Sequence, residues 1–116
     1  MRFNERGWRG RFPLEEVNEH FAEDQIGVYI ITKGLNNVDY VGRSDSDIRE
    51  RFYKSREEGE KYRYYWFKYL TSPRNAFLLE CKMYHKYHPP DNTNHPQVPS
   101  GTYWRCPEKN CEWGKL

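Results

Sequence analysis

The sequence lacks any apolar stretch long enough to cross a membrane. Its 116 residues contain no run approaching the ~20 apolar residues that a membrane-spanning helix needs. The N-terminal segment is charged and has no apolar run behind it, unlike a secretory signal. These absences predict no membrane association and favour a cytoplasmic location.

Cysteine is scarce, and its count is odd. The three cysteines occur in a chain without a recognisable secretion signal, so a disulfide framework is not expected. A metal site or free thiols are favoured instead.

The chain also has little excess charge of either sign. Nineteen basic and 17 acidic residues leave a net charge of +2, less than a protein that follows a phosphate backbone usually carries. Residues 1–11 form a local exception, with four arginines and one acidic residue. This arm either lies along a nucleic-acid backbone or is a solvated terminus, and the sequence leaves both interpretations open.

Aromatic residues, by contrast, are abundant and predict a folded protein. They make up 17% of the chain, whereas disordered segments are poor in them. Each ring buries a large area, so a chain of this length can build one modest core. We expect a single domain over 1–116: an N-terminal arm and helix (1–25), a core (26–95) and a cysteine-containing tail (96–116).

Residue patterning predicts an α+β fold, with a small three-stranded antiparallel sheet flanked by helices. The last predicted strand is aromatic enough for β-structure, although its periodicity does not exclude a helix. Five of the seven prolines lie between 89 and 107, which predicts an irregular tail. The predicted elements are a helix over 14–23, strands over 27–32 and 38–42, a helix over 46–58, a strand over 62–70 and a helix over 73–87.

The predicted hairpin carries two tyrosines on neighbouring strands. Gly27-Val28-Tyr29 opens the first strand, and Tyr40-Val41-Gly42 lies on the second. The two phenols are expected to line one end of the sheet. Taken alone, such a pair is more often structural than catalytic.

In this order and at this spacing, however, the pair resembles the two halves of the signature of the GIY-YIG nuclease family. An arginine on the next helix, a glutamate on a later helix and a downstream asparagine complete that family's pattern, and all three follow here. The resemblance covers roughly residues 26–95. The matching residues are Arg51 (with Arg49 as the alternative), Glu80 and Asn92 (with Asn94 as the alternative).

One position departs from the family pattern. Many relatives carry a histidine or tyrosine one helical turn after the arginine, where this chain has Ser55. His20, Tyr53 or another tyrosine could take that role, or the role could be absent. The identity of the general base therefore stays open.

The resemblance implies a stand-alone endonuclease domain that hydrolyses DNA with one metal ion. Glu80 would hold Mg²⁺ or Mn²⁺, Arg51 would neutralise the phosphate, and Tyr29 or Tyr40 would orient or deprotonate the attacking water, with Asn92 completing the catalytic set. Expected substrate-binding residues are Gly42, Arg43, Arg49 and His95.

The sequence leaves two other functions open. The chain could be a nucleic-acid-binding module of the same fold that does not cleave, or an interaction module stapled by zinc. The DNA sequence or structure cut, the choice between DNA and RNA, and the oligomeric state are not specified by the sequence. A protein partner that supplies specificity is a further expectation for so short a nuclease.

The cysteines predict a second metal site. Cys81 and His85 are four positions apart on one helix and so share a face. Cys106 and Cys111 have a spacing found in zinc ligand pairs. Together these four residues predict a structural Cys₃His zinc site that ties the tail to the last helix.

The sequence also allows other interpretations of these residues. His95 or His88 could replace His85, or the three cysteines could be free thiols. Successive residues of a helix are rotated by about 100°, so Glu80 and Cys81 are expected to lie on distinct faces. The catalytic site and the zinc site are therefore expected to be separate.

Overall fold

The computed structural model describes residues 6–16, 25–35, 37–44, 57, 62–92, 95–108 and 111. Within these ranges it contains a four-stranded antiparallel sheet and one long helix. None of the described helices is long and apolar enough to span a bilayer. The elements are β1 (Arg9–Pro13), a 3₁₀ turn (Leu14–Glu16), β2 (Gly27–Thr32), β3 (Tyr40–Ser44), β4 (Tyr64–Tyr69) and α1 (Pro73–Tyr87).

The sheet has the strand order β1-β4-β2-β3. The β-branched and aromatic sequence of β2 suits its inner position, and all six of its residues are buried. Tyr29 in this strand is in register with Gly42 of β3 on one side and Phe67 of β4 on the other. β3 is therefore an outer strand, and its free side forms one edge of the sheet.

Alternate residues of each strand project to opposite faces, which divides the core into two clusters. The face covered by α1, called here the helix face, buries Val28, Ile30, Val41, Trp66, Ala76 and Met83. The opposite face, called here the aromatic face, buries Leu14, Tyr29, Ile31, Tyr65 and Phe67.

The three predicted strands and the last predicted helix are confirmed. Ser72 caps the helix by accepting a hydrogen bond from the backbone of Asn75 at 3.2 Å, and Pro73 occupies the first turn. His88 ends the helix in the left-handed conformation (φ 46°). The sequence thus marked both ends of α1 correctly.

The fourth strand, β1, was not predicted. Part of the arginine-rich arm pairs with β4, and Phe12 packs 5.5 Å from the ring of Tyr65 and 6.0 Å from that of Phe67. A strand of arginines, glycine and proline has a weak β signal, so its pairing depends on contacts with β4. In the helix predicted over 14–23, residues 14–16 form a 3₁₀ turn, and residues 17–23 lie outside the described part of the chain. Nearly all of the helix predicted over 46–58 also lies outside it.

Candidate active site and a His/Cys group

The predicted metal ligand, Glu80, is buried on α1 and forms an ion pair with Arg43 of β3. Arg43 Nη1 lies 3.3 Å from Glu80 Oε1. Arg43 is in register with Val28, which directs it to the helix face, where its guanidinium lies 5.3 Å from the ring centre of Phe77. Because a buried carboxylate is costly without a partner, Arg43 gives Glu80 the positive charge it needs.

The two predicted phenols lie on the aromatic face. Tyr29 is only 1% exposed, and its ring centre lies 6.2 Å from that of Tyr40. The phenol end of Tyr29 passes over Gly42, so that a Cβ at position 42 would collide with Cζ and Oη of that tyrosine. Glycine at 42 therefore allows the Tyr29 side chain to lie across β3. This contact gives a physical reason for the tyrosine–glycine pairing in the hairpin signature.

The sheet separates the phenols from the Glu80–Arg43 pair. Tyr29 approaches β3 from one face at Gly42, and Glu80 approaches from the other face at Arg43, the next residue. Since β3 is an outer strand, its edge is the place where one ligand could contact groups from both faces. The sequence had suggested a single cluster, whereas the structure brings two groups to consecutive positions of one strand.

Asn92 covers part of that edge. Its Oδ1 accepts a hydrogen bond from the backbone N–H of Val41, and its Nδ2 donates to the carbonyl of the same residue, both at 2.9 Å. The N–H of Asp91 donates to the carbonyl of Asp39 at 3.0 Å. Residues 91 and 92 thus extend the pairing of the sheet beyond β3. The predicted catalytic role of Asn92 stays a prediction, and its contacts make it a positioning residue beside Gly42.

A polar network that the sequence did not reveal fixes the same segment. Asp91 Oδ2 accepts a hydrogen bond from the Tyr62 hydroxyl at 2.7 Å and lies 2.9 Å from Lys33 Nζ. Burial, and then the hydrogen bond with Asp91, raise the pKa of Tyr62. This tyrosine stays neutral at physiological pH and acts as a donor. A sequence pattern could not find the network, because its members are far apart in the chain.

Several predicted residues lie outside the described part of the chain. Their positions relative to Glu80 and the phenols are not defined, so their roles stay predictions. They are the family arginine Arg51, its alternative Arg49, the alternative asparagine Asn94, and the positions considered for a general base, His20, Tyr53 and Ser55.

A second cluster joins α1 to the C-terminal tail. The ligand atoms of His85, His95, Cys106 and Cys111 all lie within 4.8 Å of one another. His95 Nε2 is 3.2 Å from His85 Nε2 and 3.2 Å from Cys111 Sγ. We call these four residues the His/Cys group. Their side chains are of the types and at the separations that could hold a metal ion.

The composition of this group differs from the predicted set in one residue. His85, Cys106 and Cys111 come together as predicted, but the fourth member is His95 in place of Cys81. Cys81 is fully buried and contacts Cys106; burial first, and then this neighbour, raise the pKa of its thiol. His95, predicted to bind substrate, belongs to this group in the structure, whereas His88 is exposed at the end of α1.

The tail also reaches the Glu80–Arg43 pair. Arg43 Nη2 donates to the carbonyl of Gln97 at 2.9 Å, and the ring of Trp104 lies 6.2 Å from that of Phe77, the residue beneath Arg43. The Glu80–Arg43 pair and the His/Cys group were expected to be separate, on distinct faces of α1. Gln97 and Trp104 of the tail instead connect the two.

The fold has a counterpart among solved structures. The GIY-YIG N-terminal endonuclease domain of UvrC from Thermotoga maritima, solved as a tyrosine-to-phenylalanine mutant bound to the catalytic divalent cation, matches with a TM-score of 0.58. The match has 22% sequence identity and covers 69% of this chain and 98% of that domain. No family model and no curated protein sequence matches the chain. The chain thus has the GIY-YIG endonuclease fold, and the fold expected from its hairpin is confirmed.

The contact between Tyr29 and Gly42 predicts a specific loss of stability. Gly42→Ala should lower the free energy of unfolding by about 1–3 kcal/mol, because the added methyl group displaces the ring. Gly34→Ala is the matched control, since a Cβ at Gly34 meets nothing within 4 Å. Urea denaturation of both variants measures the difference, and equal stabilities would contradict the described contact.

The two hydrogen bonds of Asn92 predict a second, independent effect. Asn92→Ala should lower the free energy of unfolding by about 1–3 kcal/mol, at about 0.5–1.5 kcal/mol for each hydrogen bond. The exposed Asn75→Ala on α1 should change it less. Hydrogen exchange at the Val41 amide should accelerate in the first variant only; an unchanged rate there would show that Asn92 does not hold the edge.

Proposed function

We propose that the protein is a divalent-metal-dependent endonuclease that hydrolyses phosphodiester bonds in DNA. The observation that carries this proposal is that the Glu80–Arg43 pair and the Tyr29 phenol reach consecutive positions of β3, Arg43 and Gly42, from opposite faces of the sheet. The shared fold with an endonuclease domain that was solved with its catalytic divalent cation supports it.

The donor at the proposed catalytic site fits one hard divalent ion. Glu80 offers carboxylate oxygens, which Mg²⁺ and Mn²⁺ prefer, and a single carboxylate leaves the other positions to water and phosphate. When bound, such an ion would act as a Lewis acid and would stabilise the leaving oxygen. It is separate from the zinc ion that the His/Cys group would hold.

Arg43 has a defined role in this scheme. Its guanidinium now neutralises Glu80, and a cation at Glu80 would take over that task. The planar, permanently charged fork of Arg43 could then contact a phosphate oxygen while Gln97 keeps its other end in place. Arg51 is proposed to add a second positive charge, as the family pattern implies.

The tyrosines are proposed to handle the attacking water. Tyr29 and Tyr40 are adjacent on the aromatic face, and the hydroxyl end of Tyr29 lies over β3. Either phenol can orient a water molecule by hydrogen bonding. Proton abstraction would require a pKa below the usual value of about 10, which a nearby cation favours.

A binding module that does not cleave is the second candidate function. The Glu80–Arg43 ion pair favours it in one respect, since a permanent pair would keep a cation away from the carboxylate. Tyr103, which is 95% exposed, offers a surface on which a base could stack. For both functions, we propose that the ligand is DNA and that the protein acts in the cytoplasm. Specificity would come from the structure of the DNA or from a protein partner.

The nuclease proposal predicts that Glu80→Gln abolishes cleavage. Wild-type protein should cut DNA in Mg²⁺ or Mn²⁺, and the variant should be at least ~100-fold slower, because several kcal/mol of transition-state stabilisation depend on the ion. Labelled duplex, single-stranded, flapped and branched DNA, together with RNA, form the substrate panel. Glu16→Gln, in the turn after β1 at the far edge of the sheet, is the control and should cut normally.

The possible results separate the two functions. Equal cleavage by wild type and Glu80→Gln would reject the proposed metal site. DNA binding without cleavage by the wild type, across all substrates and both ions, would favour the binding module. Cleavage of RNA alone would reject DNA as the substrate.

Arginine variants test how phosphate is held. Arg43→Ala and Arg51→Ala should each slow cleavage, and Arg43→Lys should recover part of the rate, because lysine keeps the charge but loses the bidentate fork. The exposed Arg74→Ala on α1 is the control. Single-turnover rates at saturating DNA measure the effect; normal rates in Arg43→Ala would remove this residue from the site.

A further inference from the structure

We propose that His85, His95, Cys106 and Cys111 bind a structural Zn²⁺ ion. This site goes beyond the proposed nuclease function and does not depend on it. The four ligand atoms converge to within 4.8 Å, although they come from one helix and two well-separated parts of the tail.

The orientation of His95 points to a shared central ligand. Its Nδ1 lies 2.8 Å from the carbonyl oxygen of Pro96, which only accepts, so Nδ1 carries the proton and Nε2 presents a lone pair. That lone pair faces His85 Nε2 and Cys111 Sγ, both at 3.2 Å. A carbonyl that fixes the outer nitrogen of a ligating imidazole is the usual arrangement at zinc sites.

The separation of the two imidazole nitrogens fits tetrahedral coordination. With zinc–nitrogen bonds of about 2.0–2.1 Å, two nitrogens of a tetrahedral site lie about 3.3 Å apart, close to the observed 3.2 Å. The backbone N–H of Glu108 donates to the sulfur of Cys106, and the N–H of Cys111 donates to the carbonyl of Glu108 at 3.2 Å. Both bonds place Glu108 beside the two cysteines, whose sulfurs lie near the histidine nitrogens.

The donor set distinguishes this site from the one at Glu80. Two imidazole nitrogens and two thiolate sulfurs suit zinc, whereas the carboxylate of Glu80 suits Mg²⁺ or Mn²⁺. On binding, the thiols of Cys106 and Cys111 release their protons to solvent, and the two thiolates balance the charge of the ion. Four protein ligands leave no open position, so the ion is structural rather than catalytic.

Cys81 is the competing ligand, and the geometry places it outside the group. It contacts Cys106 but is not among the residues whose ligand atoms all lie within 4.8 Å. It is also fully buried, on the part of α1 that carries Glu80. The ligand set is thus Cys₂His₂ in place of the Cys₃His set that the sequence suggested.

The ion would close a loop that carries contacts to the candidate active site. Gln97 and Trp104 both lie between the ligands His95 and Cys106, in a segment where residues 95–108 form neither helix nor strand. These are the residues that contact Arg43 and Phe77. A metal bond at each end of the loop holds them in place where regular backbone pairing does not.

Metal analysis of the full-length chain tests the site. Protein purified without added metal should contain about one zinc per chain. Cys111→Ser and His95→Ala should lose most of that zinc, whereas Cys81→Ala and Glu80→Gln should keep it. Cobalt(II) substitution should give the strong tetrahedral visible absorption in wild type and Cys81→Ala, and not in Cys111→Ser.

Thiol protection gives a measurement that needs no variant. In the zinc-loaded protein, Cys106 and Cys111 should resist alkylation, and a chelator should make both reactive, as mass spectrometry of the labelled peptides would show. A folded, zinc-free protein would overturn the proposal. Loss of zinc in Cys81→Ala together with its retention in His95→Ala would overturn the ligand set in favour of Cys₃His. Because Glu80→Gln should keep its zinc, failure of the nuclease proposal leaves this result intact.

Discussion

The candidate active site depends on the close contact between the Tyr29 ring and the backbone of Gly42. Where another residue would project a side chain from β3, the glycine leaves room for the tyrosine to cross the strand. Strand alternation then directs the next residue, Arg43, to the other face, where it meets Glu80. One missing side chain thus brings a phenol and an arginine–carboxylate pair to adjacent positions of an outer strand. Asn92 keeps that strand in place by pairing with Val41 on its free side.

Local sequence signals predicted most of the fold. The apolar run of β2, the aromatic run of β4 and the Ser72-Pro73 start of α1 each specify their element within a few residues. β1 was not predicted because its sequence, rich in arginine and glycine, has a weak strand signal. Its strand structure depends on pairing with β4. The order of motifs in the sequence identified Tyr29, Tyr40 and Glu80 as candidate site residues. It did not indicate that the sheet separates the two tyrosines from Glu80. That division follows from the register of β2 with β3, which no residue pattern reveals.

Partners distant in sequence were the least predictable feature. The Cys106–Cys111 spacing and the shared face of Cys81 and His85 indicated a metal site, yet the tail path decides which four side chains converge. His95 joins the group because its ring lies beside that of His85 on α1. Likewise, the hydrogen bond from Arg43 to Gln97 joins residues 54 positions apart. The positions of the two proposed metal sites relative to each other therefore depend on burial and on the path of the described tail residues. They do not follow from the spacing of residues along α1.

The proposal that groups from both sheet faces share one cation at the edge of β3 can be tested directly by NMR with Mn²⁺ as a paramagnetic probe. If a cation binds at Glu80 within reach of the phenols, substoichiometric Mn²⁺ should broaden the ring signals of Tyr29 and Tyr40 in the wild type. The same addition to Glu80→Gln should leave these signals sharp. Broadening confined to residues of α1, with both tyrosine rings unaffected, would contradict a shared site at the edge of β3.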